Sequence, residues 1–175
     1  MIKSITRSML QQLEILSECA FTDLRDPPWE TQDFEQILEK GGHGWVATNS
    51  ETPDQSSIQA CEVAHETLHH SAPELYMGYI LLQDCVDFID ILKIATHPHL
   101  QNQGIASQLL QTALKHSEKR FTLEVAENNY KALTLYQKHG FQRIGVRKGY
   151  YKNKASPNEE RIAINAIILE KKRST

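Results

Sequence analysis

The sequence predicts an α/β fold in which a mixed central sheet is flanked by helices. Helical patterns over 8–20 and 31–40 come first, followed by strand-like segments over 43–48, 75–83 and 86–96. A helix at 104–117, a strand at 121–125, a helix at 129–139 and strands at 141–148 and 161–169 complete the order. The central strand, helix and strand predict one βαβ crossover, which makes the sheet mixed.

The helices are predicted from apolar residues spaced three and four apart. The first has this spacing at Leu10, Leu13, Leu16 and Ala20, and the second has it at Phe34, Ile37 and Leu38. The third helix begins near Gly104, and the fourth ends at Gly140, since glycine commonly closes a helix. Each of these helices therefore needs an apolar core on one side.

The strands are bounded by turn signals. Gln83-Asp84-Cys85 is the predicted hairpin turn between the strands at 75–83 and 86–96. In the last strand Ile162, Ile164, Ala166 and Ile168 alternate with other residues, which predicts one buried face. The stretch over 49–74 is rich in Ser, Thr, Pro, Gln and Glu and is predicted to be a long loop.

Composition limits the possible classes of protein. A chain of 175 residues, 40% apolar and 23% charged, suits a single globular domain over 1–175 with a loop insertion at about 49–74. The net charge of -3 gives no global attraction to nucleic acid or anionic lipid. No apolar run approaches the ~20 residues of a membrane span, and no signal peptide is evident. A cytoplasmic protein, a monomer or weak dimer with no nucleic acid or membrane partner, is expected.

Cysteines and histidines give no metal or disulfide pattern. Cys19, Cys61 and Cys85 are odd in number and far apart, which favours a reduced cytoplasm. The pairs His97/His99 and His69-His70 more often form hydrogen bonds or face water than bind metal, so no metal is expected. A cysteine nucleophile at Cys85 or Cys61 is a rival mechanism, but no Cys-His pair is evident.

The sharpest motif is Gln-x-x-Gly-x-Ala, from Gln101 to Ala106, which joins a predicted strand to the best amphipathic helix. The first turn of a helix has unsatisfied N–H donors and a positive dipole end, so a pyrophosphate can bind there if Gly104 and Ala106 allow close approach. Alternatively, these small residues only let the helix pack closely on a strand. The position of the motif between strand and helix favours the anion site.

Further residues follow this loop in a pattern that resembles the GNAT superfamily, and specifically its ribosomal-protein-alanine N-acetyltransferases. They are Pro28-Trp29, Leu123-Glu124-Val125, Asn128-Asn129, Leu135-Tyr136-Gln137-Lys138-His139-Gly140-Phe141 and Arg147-Lys148-Gly149-Tyr150-Tyr151. The resemblance covers most of the chain. It implies the GNAT (acyl-CoA N-acyltransferase) fold and acetyl-CoA as cosubstrate.

The resemblance also implies roles for individual residues. The backbone of Ile94, Ala95 and Thr96 would pair with the pantetheine arm, and Asn129 would contact the cofactor. The pyrophosphate would be bound by the loop residues Gln101, Asn102, Gln103, Gly104, Ile105, Ala106 and Ser107. Pro28, Trp29, Tyr150 and Tyr151 would line the acceptor groove, although either pair could instead be packing residues.

By resemblance, Glu124 is the general base and Tyr136 the general acid. Aminolysis of a thioester needs both, because one proton leaves the amine and one reaches the thiolate. An α-amino group with a pKa of about 8 is about 3 kcal/mol easier to deprotonate than a lysine at about 10.4, which suits a protein N-terminus. Glu124 could otherwise be a strand-end ion-pair partner, and Tyr136 an amphipathic core residue.

The predicted function is therefore acetyl transfer to the N-terminal α-amine of an acceptor protein, possibly a ribosomal protein. Two features depart from the resemblance: Ala126 stands where an Arg usually follows Leu-Glu-Val, and the 49–74 insertion is long. Both leave open an acceptor that is a lysine side chain, a polyamine or another small amine. The third alternative is an acetyl-CoA-binding sensor without turnover.

Overall fold

The computed structural model describes residues 1–21, 27–49, 75–152 and 163–172. Its strands are β1 (Ile2–Ser4), β2 (His43–Thr48), β3 (Tyr76–Asp84), β4 (Phe88–Thr96), β5 (Arg120–Ala126), β6 (Gln142–Lys152) and β7 (Ala163–Lys171). Its α-helices are α1 (Leu10–Ala20), α2 (Thr31–Glu39), α3 (Ile105–His116) and α4 (Tyr130–Lys138). Most of the predicted insertion, 50–74, lies outside the described residues. Its flanks meet where the Asn49 N–H donates to the Leu75 carbonyl at 3.1 Å.

The strands form one mixed sheet in the order β1-β2-β3-β4-β5-β7-β6. Neighbouring strands are antiparallel except β4 and β5, which are parallel and joined through α3. The predicted βαβ crossover and mixed sheet are thereby confirmed. The last strand, β7, lies between β5 and β6, an order that the strand sequence does not reveal.

Helices cover both faces of the sheet. On one face, α3 buries Ile105, Leu109, Leu110 and Ala113 in the larger core cluster. On the other face, α1 buries Leu10, Leu13 and Leu16 with Phe34 of α2 in a second cluster. Strand β3 supplies both clusters alternately, Ile80 and Leu82 to the first and Tyr79 and Leu81 to the second. Within the described ranges, no helix is both long and apolar enough to cross a membrane.

Three details differ from the sequence prediction. The edge strand β1 was not predicted, because a strand of three residues has too little alternation to be recognised. The β3–β4 turn lies at 85–87 rather than 83–85, and Val86 at its tip is 89% exposed although apolar. The predicted face of the last strand is buried at Ile164 and Ala166, but the opposite face is buried too, because Ile167 and Leu169 pack in the larger core. A strand with neighbours on both sides can be covered on both faces.

A bulge in β4 changes which face its side chains occupy. Leu81 of β3 is opposite Lys93 and Leu82 is opposite Ile91, so Leu92 is an extra residue. Before the bulge, Ile89 and Ile91 lie in the larger core; after it, Ala95 lies in the second core and Ile94 packs against the larger one. An inserted residue reverses the alternation of a strand and bends it. The side chains in the second half of β4 therefore point to the opposite faces from those that an uninterrupted strand would give.

A cluster of three rings at the edge of the sheet predicts sensitivity to acid. His43 packs 5.5 Å from Trp45 and 5.4 Å from His116 between ring centroids. Burial, followed by the nearby His116, lowers the pKa of His43, and Asp84 only partly offsets this. Burial also lowers the pKa of His97 and of His139. The folded protein therefore binds fewer protons than the unfolded chain at mildly acidic pH.

We expect this difference to destabilise the protein as the pH falls through about 6.5, the ordinary histidine value. The contribution is fully present above that pH and is lost below it. The midpoint of thermal unfolding should be about 2–4 °C lower at pH 5.5 than at pH 7.5. His43→Phe keeps a ring against Trp45 but cannot take up a proton, so its melting temperature should depend less on pH. An unchanged dependence in this variant would contradict the role of His43.

Candidate active site

The two parallel strands at the centre of the sheet separate along their length and leave a cleft. Their pairing covers only Phe88–Asp90 of β4 with Arg120–Thr122 of β5. Beyond this point β4 continues to Thr96 and β5 continues to Ala126. A cavity of about 430 Å³ lies there and is lined from β4, β5 and α4. The open sheet therefore has a cavity at the carboxyl ends of its parallel strands, where ligand sites are usual.

Five residues that the sequence analysis assigned to different roles line this one cavity. They are Ile94, Glu124, Asn129, Tyr136 and Tyr151, from β4, β5, α4 with its cap, and β6. The cavity lining does not include Pro28, Trp29 or Tyr150. The proposed base and acid thus share one cleft, although twelve residues separate them in the chain.

The loop before α3 has a backbone suited to an anion. Asn102 and Gly104 adopt left-handed conformations, with φ of 63° and 82°, and residues 101–104 are exposed. Gly104 caps α3, so the free N–H groups of the first turn follow immediately. A Cβ on Gly78 of β3 would lie 3.0 Å from Ile105 Cγ2, so this glycine lets α3 begin close to the sheet. The predicted position of the loop between strand and helix is confirmed.

The edge of β4 that faces β5 beyond Asp90 suits a ligand that carries amide groups. Residues of a strand present N–H and C=O groups alternately to both sides, and here the ladder to β5 has ended. Thr96, at the end of this strand, has a buried Oγ1 without a hydrogen-bond partner among the described residues. The pantetheine arm of acetyl-CoA carries amides, and its pyrophosphate suits the adjoining loop. The residues present therefore fit this cosubstrate.

Helix α4 braces the loop and the start of α3. His139, at the end of α4, forms a 2.7 Å hydrogen bond between its Nε2 and the Ser107 hydroxyl. Lys131 donates from Nζ to Gln101 Oε1 at 3.1 Å. Asn129 caps α4, because its Oδ1 accepts the Ala132 N–H at 3.1 Å. Sequence reasoning gave no role to Lys131 or His139, whose partners lie about 30 residues away.

Tyr136 lies where both of the roles that the sequence left open are sterically compatible. Its side chain is 4% exposed and packs edge-on against Phe141 in the larger core. It also lines the cleft. A tyrosine ring can supply apolar contact area while its hydroxyl reaches a polar site. Core packing and a catalytic role are therefore compatible at this position.

Glu124 lines the cleft and is ion-paired across the sheet. Its Oε1 lies 2.8 Å from Arg147 Nη2, and its side chain is 26% exposed. The Arg147 guanidinium also lies over the Tyr150 ring, 4.9 Å from the centroid. Arg147 lies within the Arg147-Lys148-Gly149-Tyr150-Tyr151 motif, but no role is predicted for it from sequence, because pairing between β5 and β6 residues cannot be read from spacing. Arg147 is therefore a second charged residue, after Lys131, whose contact could not be predicted from sequence.

A buried lysine joins the α1–α2 connection to the cleft. Lys93 is 6% exposed, donates to the Pro27 carbonyl at 2.9 Å, and lies over the rings of Phe21 and Trp29 at 4.0 and 5.5 Å. The ring of Trp29 packs against Phe34, 5.6 Å away. Trp29 is thus a packing residue, and the groove role of Pro28-Trp29 remains a prediction.

Strand β6 carries the two tyrosines that are predicted to contact the acceptor, and it pairs with β7. The register between Arg147 and Tyr151 shifts, and Gly149 in this irregularity has φ of 60°. The N–H of Gly149 donates to Asn165 Oδ1 at 3.0 Å, while Asn165 Nδ2 donates to Glu127 Oε2 at 3.0 Å. Asn165 therefore ties β6 to the segment after β5. A lone polar residue within Ile164-Asn165-Ala166 was the available signal for it.

Among the described residues, neither a cysteine nucleophile in the cleft nor a histidine metal site is present. Cys85 lies in the β3–β4 turn and outside the cleft lining, and Cys61, His69 and His70 lie outside the described residues. His97 is 7% exposed and its ring lies 5.6 Å from that of His99. Among the described residues, no group of three or more metal-ligating side chains is placed to hold an ion.

The sequence profile of the acetyltransferase (GNAT) family matches residues 10–141. The chain belongs to the GNAT family. It is accordingly an acetyl-CoA-dependent N-acetyltransferase, and the family resemblance read from the sequence is confirmed. A GNAT relative in Haemophilus ducreyi, a ribosomal protein bS18-alanine N-acetyltransferase, is 28% identical over 58% of this chain and 70% of its own. The corresponding Escherichia coli enzyme is 32% identical over 42% of this chain and 53% of its own.

Solved structures confirm the GNAT fold. The ribosomal-protein-S18-alanine N-acetyltransferase of Escherichia coli superposes with a TM-score of 0.73 at 20% identity, covering 100% of this chain and 94% of its own. NAA60 of Arabidopsis thaliana, in complex with a bisubstrate analogue, gives 0.71 at 17% identity, over 98% and 97%. NAA60 has also been solved with acetyl-CoA. At these identities the structures establish the shared fold only.

Proposed function

We propose that this protein transfers acetyl from acetyl-CoA to the N-terminal α-amine of a protein, with Glu124 as general base and Tyr136 as general acid. The observation that carries the proposal is that both side chains line the cleft between β4 and β5. Bound acetyl-CoA supplies the acetyl group and a thiolate leaving group. Glu124 accepts a proton from the amine, directly or through one water, and Tyr136 donates a proton to the thiolate.

The rest of the site orients these groups. The N–H groups of the first turn of α3, after Gly104, bind the pyrophosphate, and residues 94–96 of β4 pair with the pantetheine arm. A backbone N–H at the end of this strand donates to the thioester oxygen as charge develops on it. Asn129 and Tyr151, also in the cleft lining, contact the cofactor and the acceptor respectively.

The charges of the cleft favour a peptide terminus over a polyamine. Among the described residues, the cavity lining has one carboxylate, Glu124, and one ammonium group, Lys93. The carboxylate is already paired with Arg147. A polyamine carries several positive charges and needs an acidic pocket, which these residues do not form. An α-amine is also the easier of the candidate amines to deprotonate near neutral pH.

The names of similar proteins support the same acceptor class. Besides the bS18-alanine N-acetyltransferases, an N-alpha-acetyltransferase of Saccharolobus solfataricus is 35% identical over 35% of this chain and 40% of its own. These names specify N-terminal acceptors for those proteins. A ribosomal protein N-terminus is therefore the first acceptor to test for this chain.

We expect the fastest turnover, measured as release of free thiol from acetyl-CoA, with acceptors that have a free N-terminus. The panel pairs each short alanine-starting peptide with its N-acetylated form, and adds a blocked lysine peptide and spermidine. The free alanine peptides should react at least about tenfold faster than the blocked lysine peptide, given the difference in amine pKa, and their N-acetylated forms, which lack an amine, should not react. Faster turnover of spermidine or of the blocked lysine peptide would overturn the acceptor while leaving the family intact.

A further inference from the structure

The ion pair between Glu124 and Arg147 spans an intervening strand. Glu124 of β5 is opposite Ile168 of β7, while Arg147 of β6 is opposite Ala166. Strands lie about 4.8 Å apart, so the two charged residues start about two strand spacings from one another. Their side chains nevertheless meet at 2.8 Å. Only a long side chain such as arginine reaches across this distance.

The residues in register with Arg147 on the neighbouring strands are small. Ala126 of β5 and Arg147 of β6 are both opposite Ala166, so two alanines stand beside the arginine on this face of the sheet. Ala166 is fully buried. Ala126 and Ala166 therefore place no long side chain in register with Arg147. A small residue, Ala126, thus stands in the same row of the sheet as Arg147, which supplies the positive charge to Glu124.

The guanidinium of Arg147 and the backbone that follows this residue are also held in place. Tyr150 lies over its guanidinium, and Gly149 is hydrogen-bonded to Asn165, which donates to Glu127 just after β5. The irregular stretch of β6 after Arg147 is therefore fixed to the segment that follows Glu124. A guanidinium held between a carboxylate and an aromatic face loses little freedom when it forms the ion pair.

We propose that Arg147 is a positioning residue that holds the Glu124 carboxylate in the cleft for proton transfer, a role that rests on the function proposed above. Arg147 acts from β6, and it does so through Glu124 rather than through the acceptor. A displaced catalytic group of this kind costs rate rather than cofactor affinity.

The test compares kcat and KM of variants on the amine that the wild-type protein turns over fastest. Arg147→Ala should lower kcat about tenfold and leave the KM for acetyl-CoA within about twofold. Arg143→Ala is the matched control, because Arg143 is an exposed arginine on the same strand, opposite Leu169. It should leave both constants near wild type. Arg147→Lys, and Arg147→Ala combined with Ala126→Arg, should each recover part of the lost rate.

A double-variant comparison isolates the action through Glu124. In a Glu124→Gln background, Arg147→Ala should cause no further loss of kcat. The proposal would be overturned if Arg147→Ala lowered kcat equally in the Glu124→Gln background, or if Arg147→Ala alone did not lower kcat. It would also be overturned if neither Arg147→Lys nor the added Ala126→Arg recovered part of the lost rate. Failure of the proposed acceptor would look different: the wild-type protein itself would then prefer spermidine or a blocked lysine peptide.

Discussion

Glu124→Gln should lower kcat by about 10²–10⁴-fold, the usual contribution of a general base. Glutamine has the same size and keeps an oxygen in the cleft but cannot accept the amine proton. Acetyl-CoA binding, measured by calorimetry, should stay close to wild type because the cofactor contacts are assigned to β4 and the start of α3. The fold should also persist, since a partly exposed ion pair contributes only about 0–1 kcal/mol.

Glu170→Gln is the control for the loss of a carboxylate from this sheet. Glu170 of β7 pairs with Arg120 at 2.6 Å and lies outside the cleft lining. This variant should lose stability while keeping kcat near wild type. If Glu124→Gln also kept full turnover, another group would have to be the base. Cofactor binding with no turnover in the wild-type protein would instead support the non-catalytic sensor.

Tyr136→Phe should lower kcat by about 10–100-fold if its hydroxyl protonates the leaving thiolate. The substitution keeps the ring that packs 5.5 Å from Phe141, so the core contact is preserved. The melting temperature should therefore change by only a few degrees, and the KM for acetyl-CoA should change little. Turnover assays and thermal unfolding on the same preparation separate an effect on kcat from an effect on stability.

Tyr79→Phe is the matched control for a buried tyrosine hydroxyl. Tyr79 is fully buried in the second core, where its hydroxyl bonds to Ser17 Oγ at 3.3 Å. Its removal should cost about 1 kcal/mol of stability without affecting kcat. Equal kcat in Tyr136→Phe and Tyr79→Phe would show that Tyr136 is a core residue only, the alternative that the sequence left open.

The parts of the fold that were predicted from sequence depend on neighbouring residues. The helix at Ile105–His116 has its start signal at Gly104 and its apolar face within twelve residues, so spacing sufficed to find it. The β4-α3-β5 crossover is also contiguous in the chain. Glu124 and Tyr136 were found because each lies in a recognisable motif, and the cleft then brought them together.

The parts that could not be predicted depend on pairing between distant segments. Strand β7 lies between β5 and β6, so no local pattern indicates that Arg147 faces Glu124 over Ala166. The extra residue at Leu92 is likewise visible only against its partner strand. Val86 misled the turn prediction because an exposed apolar residue at a hairpin tip looks like the start of a strand.

The sequence by itself determined the α/β class, and it predicted an anion-binding loop at 101–107 and a pair of groups suited to acid and base chemistry. The tertiary structure decided how these parts work together: the cleft between β4 and β5, the cation for Glu124 and the fixed position of the β6 tyrosines. The physical reason is that helices and loops are specified by contacts between near neighbours, whereas the register of a sheet is specified by the burial of residues far apart in the chain.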